Sequence, residues 1–259
     1  MIDIVFPWIQ GEDKFEELRY SIRSIEKHFR DEFRIVLVGD WPTWCNKLNV
    51  LHIPHTRHSG PFSKVEDSVN KMQQIINHQE ISDPFIYWYD DIHLLRPTNT
   101  QYFKENVFAL KKFSEMEPLR NTNYRINLWN TYDAIRRTHP NDEIYNFETH
   151  LPRFFHKQMM QFIIDDYKPL ENRLLLNTLY LHEFSKANEL LTVIHKTDNV
   201  KAGFYGAETE LSFGNQYSKA QYLNILEGKT FLNYDDAGLT STLKSIITEQ
   251  YKTKSLCEL

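Results

Sequence analysis

The hydrophobic residues of the first hundred positions follow two different periods. Two short apolar runs, Ile2 to Ile9 and Ile35 to Asp40, are typical of buried parallel strands, and the second run closes on a glycine and an aspartate. From Lys14 to Phe29, apolar residues recur every three or four positions with basic residues between them, which predicts an amphipathic helix. A strand, a helix and a strand at this spacing predict a βαβ unit with parallel strands.

The alternation of strands and helices continues along the chain. Leu48 to Ile53 predicts a third strand, and the polar segment from His55 to Ser63, with its glycine and proline, predicts a loop. A capping-box spacing then begins a helix at Ser63 that runs to about His78. Pro84 to Tyr89 predicts another buried strand.

The second half has a different character. Thr98 to Phe147 is mixed in pattern. Two helices are predicted next, over Phe154 to Tyr167 and over Glu171 to Lys186. A late strand that ends in acids is predicted over Phe231 to Asp236, and a final helix over Ser241 to Tyr251. We therefore expect an α/β fold. Its sheet is mixed but mostly parallel and is flanked by helices, and a helical elaboration follows at the C-terminal side.

Composition narrows the functional classes. The chain of 259 residues carries a net charge of −5, whereas proteins whose main task is to grip nucleic acid usually have a basic excess. Cys45 and Cys257 lie far apart and lack the spacing of a zinc site or a disulfide framework. The N-terminus does not read as a signal peptide, and no apolar run approaches the roughly 20 residues that cross a bilayer. We expect a cytoplasmic protein.

Two adjacent acids, Asp90 and Asp91, directly follow the strand that ends at Tyr89. Ligands of open α/β sheets bind at the carboxyl ends of the strands. Carboxylates together with a diphosphate are the ligands that Mg²⁺ and Mn²⁺ prefer, and the cation neutralises charge on a departing phosphate. The alternative is a solvated turn that happens to hold two acids. Asp3 and Asp40 are the next candidates for a functional site, and Asp40 also ends a predicted strand. The alternative role for Asp40 is to cap a helix or a turn.

Three further residues are candidates for catalysis. His150 precedes a predicted helix and has the chemistry of a general base, a phosphate donor or a metal ligand, although a lone histidine is more often structural. Arg173 has the chemistry to clamp a phosphate, with a surface cation as the alternative. Asp235 is one of the acids after the late strand. Glycine fingerprints of dinucleotide-binding and P-loop proteins are absent, and so is a nucleophile elbow.

Several segments resemble the Stealth family of sugar-phosphate transferases. Residues 2–13 (IDIVFPWIQGED) resemble that family's opening IDIVYTWVDGSD, and residues 18–27 (LRYSIRSIEK) resemble its LRYSLRSIEK. Weaker likenesses cover residues 41–46, which resemble VPxWL, residues 150–152, which resemble His-Met-Pro, and the late segment 231–236. Residues 85–91 (FIYWYDD) resemble FIYFNDD, with Tyr89 in place of the asparagine. Residues 9–11 stand where that family has VDG, so one acid is lost.

The resemblance implies a GT-A-like, Rossmann-like nucleotide-sugar transferase. It implies that Asp90 and Asp91 hold Mn²⁺ or Mg²⁺ at the pyrophosphate of a donor, which we expect to be a UDP-sugar. It implies that Asp91, His150, Arg173 and Asp235 are catalytic. The residues that we expect to bind the donor are Phe6, Trp8, Gly11, Arg19, Asp40 and Lys64. Whether the sugar alone or the sugar-1-phosphate is transferred stays open.

We expect one transferase domain over residues 1–259, with a donor-binding half at 1–110 and an acceptor-side, helical half at 111–259. The acceptor is a hydroxyl on a glycan or on a modified base, such as the hydroxymethyl bases of phage and bacterial DNA. A groove for DNA would use the basic residues Lys111, Lys112, Arg120, Arg125, Arg136 and Arg137. Two alternatives remain: a non-catalytic module that binds nucleotides or glycans, and a metal-dependent phosphohydrolase.

Overall fold

The computed structural model describes residues 1–11, 16–58, 60, 63–190, 192–194, 199–203, 211–212 and 217–259. Several residues of the sequence predictions lie outside these ranges. They are Glu12 and Asp13 of the first loop, Lys14 and Phe15 at the start of the first predicted helix, and Pro61 and Phe62 of the second loop.

The first half alternates strands and helices as the sequence predicts. Its elements are β1 (Ile2–Trp8), α1 (Glu17–His28), β2 (Phe33–Gly39), β3 (Val50–Pro54), α2 (Ser63–Asn77), β4 (Phe85–Tyr87) and β5 (Ile92–Leu94). Their bounds differ from the predicted ones by a few residues, as is usual at the ends of helices and strands.

The second half contains both helices and strands. Its elements are α3 (Thr100–Glu105), β6 (Val107–Ala109), β7 (Lys111–Lys112), α4 (Asn123–Thr138), β8 (Tyr145–Asn146), β9 (Arg153–Phe155), α5 (Lys157–Tyr167), α6 (Pro169–Asn172), α7 (Leu176–Ala187), β10 (Thr192–Ile194), β11 (Asn199–Gly203), β12 (Leu211–Ser212), α8 (Lys219–Leu226), β13 (Phe231–Tyr234) and α9 (Ser241–Gln250). The C-terminal elaboration is therefore mixed rather than purely helical.

Two predicted helices need correction. The helix predicted from Phe154 begins only at Lys157, because the aromatic residues before it pair with β4 as strand β9. The helix predicted over Glu171 to Lys186 is divided into α6 and α7. Arg173 adopts a left-handed conformation with φ of 55° and ends α6, so one continuous helix cannot pass through this position.

The central sheet has the strand order β3-β2-β1-β4-β9. The pairings of β1 with β2, of β2 with β3 and of β1 with β4 are parallel, and β9 is added antiparallel to β4. Helices flank this sheet, which confirms the predicted α/β class and the predicted βαβ unit. The parallel arrangement places the carboxyl ends of β1, β2 and β4 at one edge.

The ends of β1 and β2 approach each other closely. Gly39 closes β2 with φ of 133°, and a Cβ atom at this position would lie 1.9 Å from the carbonyl oxygen of Trp8. Only glycine tolerates both this backbone conformation and this contact. The edge of the sheet on which the candidate acids lie is thus held tightly together.

A second sheet begins where the first one ends. Its order is β12-β11-β13-β5, and β13 runs antiparallel to β5 with Asn233 opposite Ile92. The chain passes from β4 in the first sheet to β5 in the second through residues 88–91. Trp88 anchors this passage, since it is fully buried and its indole N–H donates to the carbonyl of Ile92 at 3.2 Å.

The last residues of the chain pack on α1 and on the loop after β2. Glu258 accepts two hydrogen bonds from the guanidinium of Arg23, at 2.6 and 2.7 Å. The backbone N–H of Leu259 donates to the carbonyl of Trp44, and that of Asn46 donates to Cys257. This tail therefore fixes the loop around Trp44.

Asp3, a candidate from the sequence, has a structural role. It lies near the start of β1, away from the carboxyl edge, and is 1% exposed. Its carboxylate accepts two hydrogen bonds from Arg34, at 2.8 and 3.0 Å, and a third from the backbone N–H of Ser82. In the described ranges, none of the helices combines the length and the apolar character that crossing a membrane requires.

Candidate active site

Asp90 and Asp91 form the turn between β4 and β5, at the carboxyl edge of the central sheet. Because β1, β2 and β4 are parallel, the segments after β1 and β2 lie at the same edge. Asp40 stands there after β2, and one oxygen of its carboxylate accepts a hydrogen bond from the backbone N–H of Gln10 at 2.9 Å. Asp40 thus shapes the backbone that follows β1.

His150 meets Asp91 at this turn. The Nδ1 atom of His150 lies 3.1 Å from Oδ2 of Asp91. A carboxylate oxygen accepts hydrogen bonds, so this contact favours the tautomer that carries its proton on Nδ1 and leaves the lone pair on Nε2. The side chain of His150 is 57% exposed, whereas that of Asp91 is 18% exposed. A histidine oriented by a carboxylate and open to a ligand has the arrangement of a general base.

Strand pairing explains how His150 reaches this position. Since β9 is antiparallel to β4, with Arg153 opposite Tyr87, the residues before β9 lie beside the residues after β4. The ring of His150 stacks on Tyr89 with centroids 4.9 Å apart and planes 13° apart. Asn233 of β13 donates from its amide to the carbonyl of His150 at 2.7 Å. Both sheets therefore hold the histidine.

Arg153 supports the segment that carries His150. It is 4% exposed and donates to the carbonyls of Phe147 and Thr149 and, at 3.0 Å, to the hydroxyl of Tyr89. A buried guanidinium with several acceptors fixes the backbone between them. Through its hydrogen bond to Tyr89, Arg153 thus helps to fix the stacked rings of Tyr89 and His150.

The two acids fit a divalent cation. Burial raises the pKa of the Asp90 carboxyl, and the neighbouring Asp91 carboxylate raises it further. In the described part of the chain, Oδ1 of Asp91 is buried and has no hydrogen-bond partner, while Oδ2 is occupied by His150. A buried acceptor without a partner and a pair of carboxylates at close range are both stabilised by a cation of the Mg²⁺ or Mn²⁺ type.

Two cavities open at this edge of the sheet and share Asp90. The larger has a volume of about 950 Å³ and is lined by residues from both halves of the chain, including His150, Glu148, Tyr124 and the start of α7. This volume is in the range of pockets that hold cofactors and substrates. The smaller, of about 200 Å³, lies between the segments around Trp8 and Trp44. Residues 9–11 line both cavities.

The structure brings together part of the predicted set. Asp90, His150, Gly11 and Lys64 line the larger cavity. Trp8, Gly11 and Asp90 line the smaller one. Arg19 lies behind the smaller cavity, with its guanidinium 4.9 Å from the ring of Trp44, and it also pairs with Glu16.

Three other predicted residues lie elsewhere. Phe6 is fully buried in the core and lines neither cavity. Asp235 shapes a turn, since its carboxylate accepts the backbone N–H of Gly238 at 3.0 Å. Arg173 is the exposed residue between α6 and α7, next to Leu174, which lines the larger cavity. None of these three residues lines either cavity.

Among the residues of the larger cavity that the sequence did not single out are Glu148 and Lys71. Glu148 accepts hydrogen bonds from Asn177 and Thr178 and thereby ties the His150 segment to the start of α7. Lys71 of α2 is 6% exposed and lines the cavity. A signal for Lys71 does exist, because Lys64, Asp67 and Lys71 recur at helical spacing beside the apolar face of α2.

Two of the six basic residues of the predicted DNA groove pair with acids in the structure. Lys112 pairs with Glu143 at 2.8 Å, and Arg120 pairs with Asp133. Arg136 donates to the carbonyl of Pro140. These interactions reduce the positive potential that a phosphate backbone would meet.

Comparison with known proteins supports the fold. No protein-family model matches the chain, and no curated protein matches it. Among solved structures, the apo structure of the bifunctional glycosyltransferase WbbM matches over 98% of this chain with a TM-score of 0.52 and 11% sequence identity. The chain spans 50% of the length of that protein. The fold is thus GT-A-like, as predicted, whereas membership of the Stealth family stays a prediction.

Proposed function

We propose that this protein is a metal-dependent transferase that moves a sugar, or a sugar-1-phosphate, from a nucleotide-sugar to an acceptor hydroxyl. The observation that carries this proposal is the contact between Asp91 and His150, a residue that lines the large cavity. It combines an oriented base with paired acids at the edge of a GT-A-like sheet where ligands bind. A turn with only a structural role is not expected to keep a buried carboxylate oxygen, such as Oδ1 of Asp91, without a hydrogen-bond partner.

Asp90 and Asp91 would hold the cation in this reaction. When bound, Mn²⁺ or Mg²⁺ supplies positive charge to the leaving nucleotide phosphate. Asp91 divides its two oxygens between tasks, since Oδ2 orients His150 and Oδ1 is left for the cation. This division explains why both acids lie together at one turn.

His150 would act on the acceptor. Its Nδ1–H is engaged by Asp91, so Nε2 is the atom that accepts a proton from the acceptor hydroxyl. The stack on Tyr89 limits rotation of the imidazole ring. The base is therefore presented to the cavity in a single orientation.

The donor would lie across both cavities. The smaller cavity is flanked by Trp8 and Trp44, whose rings suit a flat base such as uracil. Asp90 is common to both cavities, so a diphosphate that passes it connects a base in the smaller cavity with a sugar in the larger one. We therefore propose a UDP-sugar as the donor.

A glycan is favoured over DNA as the acceptor. The observation behind this choice is the pairing of Lys112 and Arg120 with acids, which lowers the positive charge of part of the predicted DNA groove. A hydroxyl of a neutral or acidic glycan needs no extended basic surface.

The first experiment is a thermal-shift panel of nucleotide-sugars with and without Mn²⁺, since a ligand that binds the folded state raises the melting temperature. The donor that it identifies is then used in turnover assays with Asp91→Asn and with Asp133→Asn, a control acid exposed on α4. We expect Asp91→Asn to lose turnover by about 10³-fold or more while its fold is kept. Normal turnover in Asp91→Asn would exclude the proposal.

The released nucleotide separates the two possible reactions. Release of UDP indicates transfer of the sugar, whereas release of UMP indicates transfer of the sugar-1-phosphate. Hydrolysis that is unaffected by any acceptor would instead favour a phosphohydrolase.

A further inference from the structure

Lys71 is a lysine whose side chain is almost entirely buried. It lies on α2, is 6% exposed and lines the larger cavity. In the ranges that the structure describes, its ammonium makes no hydrogen bond and no ion pair. Burial lowers the pKa of Lys71, although the carboxylate of Asp67 opposes this effect. Lysine side chains are rarely buried to this extent without an ion pair, so the burial of Lys71 on the wall of a cavity needs an explanation.

Asp67, one helical turn before Lys71, is already engaged. One of its oxygens accepts the backbone N–H of His58 at 2.7 Å and lies 3.3 Å from Nε2 of His55. Its other oxygen lies 3.9 Å from Nε of Arg57. Asp67 is therefore shared among several donors. The carboxylates of Asp40 and Asp90 also act on Lys71 electrostatically, but among the described residues none of the three forms an ion pair with its ammonium, which is left for a ligand.

The wall of the cavity around α2 is basic. Arg57 and Lys64 line it together with Lys71, and both are exposed. Across the same cavity lie Asp90 and His150. A ligand that fits between these walls needs anionic groups for the three cations and must also reach the acids where the proposed metal would bind.

We infer that Lys71 binds the diphosphate of the nucleotide-sugar donor, with Lys64 and Arg57 on its solvent side. The inference rests on the proposed function, because it takes a diphosphate-bearing donor as the occupant of this cavity. Lys71 would then supply fixed positive charge to the diphosphate from the wall of the cavity formed by α2. A buried ammonium makes a stronger contact with phosphate oxygens than an exposed one, because little water competes.

A metal site is the main alternative for this region. Ligating atoms of His55, His58 and Asp67 all lie within 4.8 Å of one another. The cations of Arg57 and Lys71 next to Asp67 repel a divalent ion, which makes an anion the better occupant. Binding of Zn²⁺ that is abolished by His55→Ala, together with unchanged binding of pyrophosphate in Lys71→Gln, would overturn the inference in favour of this metal.

Calorimetric titration of the full chain with pyrophosphate, UDP and uridine tests the inference directly. Lys71→Gln removes the charge and keeps most of the side chain, and Lys104→Gln on α3 is the control for a general loss of positive charge. We expect Lys71→Gln to weaken pyrophosphate and UDP by about 10-fold or more, with uridine unchanged and Lys104→Gln close to wild type. Equal affinities in wild type and Lys71→Gln would overturn it.

Thermal unfolding of the same variants without ligand gives an independent readout. Removal of a buried unpaired charge raises the stability of the free protein, so Lys71→Gln should melt at a higher temperature although it binds more weakly. A residue with a merely structural role would show a lower melting temperature and unchanged affinity. That result would also overturn the inference.

Chemical labelling of the wild-type protein separates this inference from the proposed function. Pyrophosphate should protect Lys71, but not Lys104, from acylation by limiting acetic anhydride, as read by mass spectrometry. Protection without turnover of any nucleotide-sugar would leave the anion site standing and remove the proposed function. Turnover with an unchanged KM for the donor in Lys71→Gln would leave the proposed function standing and remove Lys71 from it.

Discussion

Nδ1 of His150 lies 3.1 Å from Oδ2 of Asp91, although 59 positions separate the two residues in the chain. The antiparallel pairing of β9 with β4 creates this contact, and β13 of the second sheet holds it from the other side through Asn233. The candidate site is therefore assembled at the junction of two sheets.

Replacement of His150 by glutamine should lower kcat with little change in donor affinity. The variant loses the proton acceptor on Nε2, and general-base contributions are typically worth about 10²- to 10⁴-fold. Because the side chain is 57% exposed, we expect the melting temperature to stay close to that of the wild type. Steady-state kinetics with the donor from the thermal-shift panel measures the effect. A normal kcat in His150→Gln would remove the histidine from the mechanism.

Asn233 is expected to act as a positioning residue for His150. It is 2% exposed, and its amide donates to the His150 carbonyl at 2.7 Å. Asn233→Ala leaves that carbonyl without its donor, so we expect a loss of about 1–3 kcal/mol in the free energy of unfolding.

The kinetics of Asn233→Ala should show a lower kcat with an altered pH–rate profile, since the orientation of His150 is relaxed. Urea titration and kinetics at several pH values measure the two effects. A variant that loses stability but keeps the wild-type pH profile would show that Asn233 only holds the fold.

Stability should fall between pH 6.5 and pH 4 because of His93. This residue is fully buried against Tyr234 and Tyr251, and burial lowers its pKa from the ordinary 6.5 to about 4. Between these values the unfolded chain binds a proton that the folded chain does not, so stability decreases as the pH falls. We expect a loss of about 2 kcal/mol between pH 7 and pH 5.

His93→Gln should flatten this pH dependence without removing it. His28, whose pKa burial also lowers to about 4, contributes in the same direction. Urea unfolding at each pH compares the two proteins. The same slope in wild type and His93→Gln would contradict the assignment.

Asp3→Asn should destabilise the protein by roughly 2–4 kcal/mol, because it breaks a buried ion pair and leaves Arg34 without its carboxylate. The matched control is Arg120→Ala, which removes an exposed pair with Asp133 and should cost less than about 1 kcal/mol. Both are measured by urea denaturation. Similar losses in the two variants would mean that burial of Asp3 adds little.

The strands of the first half could be predicted because each is a short apolar run that the sheet buries on both faces. Helix α4 could not be predicted in the same way, since its buried positions include Asn127 and Thr131 and its apolar period is therefore weak. Strand β9 was missed because paired aromatic residues suit a strand or a helix equally well until a partner strand is known.

The candidate site was predictable where its residues are adjacent in sequence or where the resemblance named them. Asp90 and Asp91 are adjacent at the end of a predicted strand, and residues 150–152 carry a short resemblance to the Stealth family. Lys71 belongs to neither class. Its helical spacing from Lys64 and Asp67 is a weak signal, because charged residues at this spacing are common on exposed helix faces until burial is seen. Phe6, which was predicted to bind the donor, is instead buried in the core. Successive side chains of a strand point to opposite faces of the sheet, and the sequence alone does not tell which face meets the site.

Asp90 belongs to the lining of both cavities, and this has a consequence for chemical inhibition. A flat fragment held between Trp8 and Trp44 and an anionic fragment held by Lys71 would approach each other at this one aspartate. A short linker that passes Asp90 would therefore join two weak fragments into a bivalent compound whose second binding step is intramolecular.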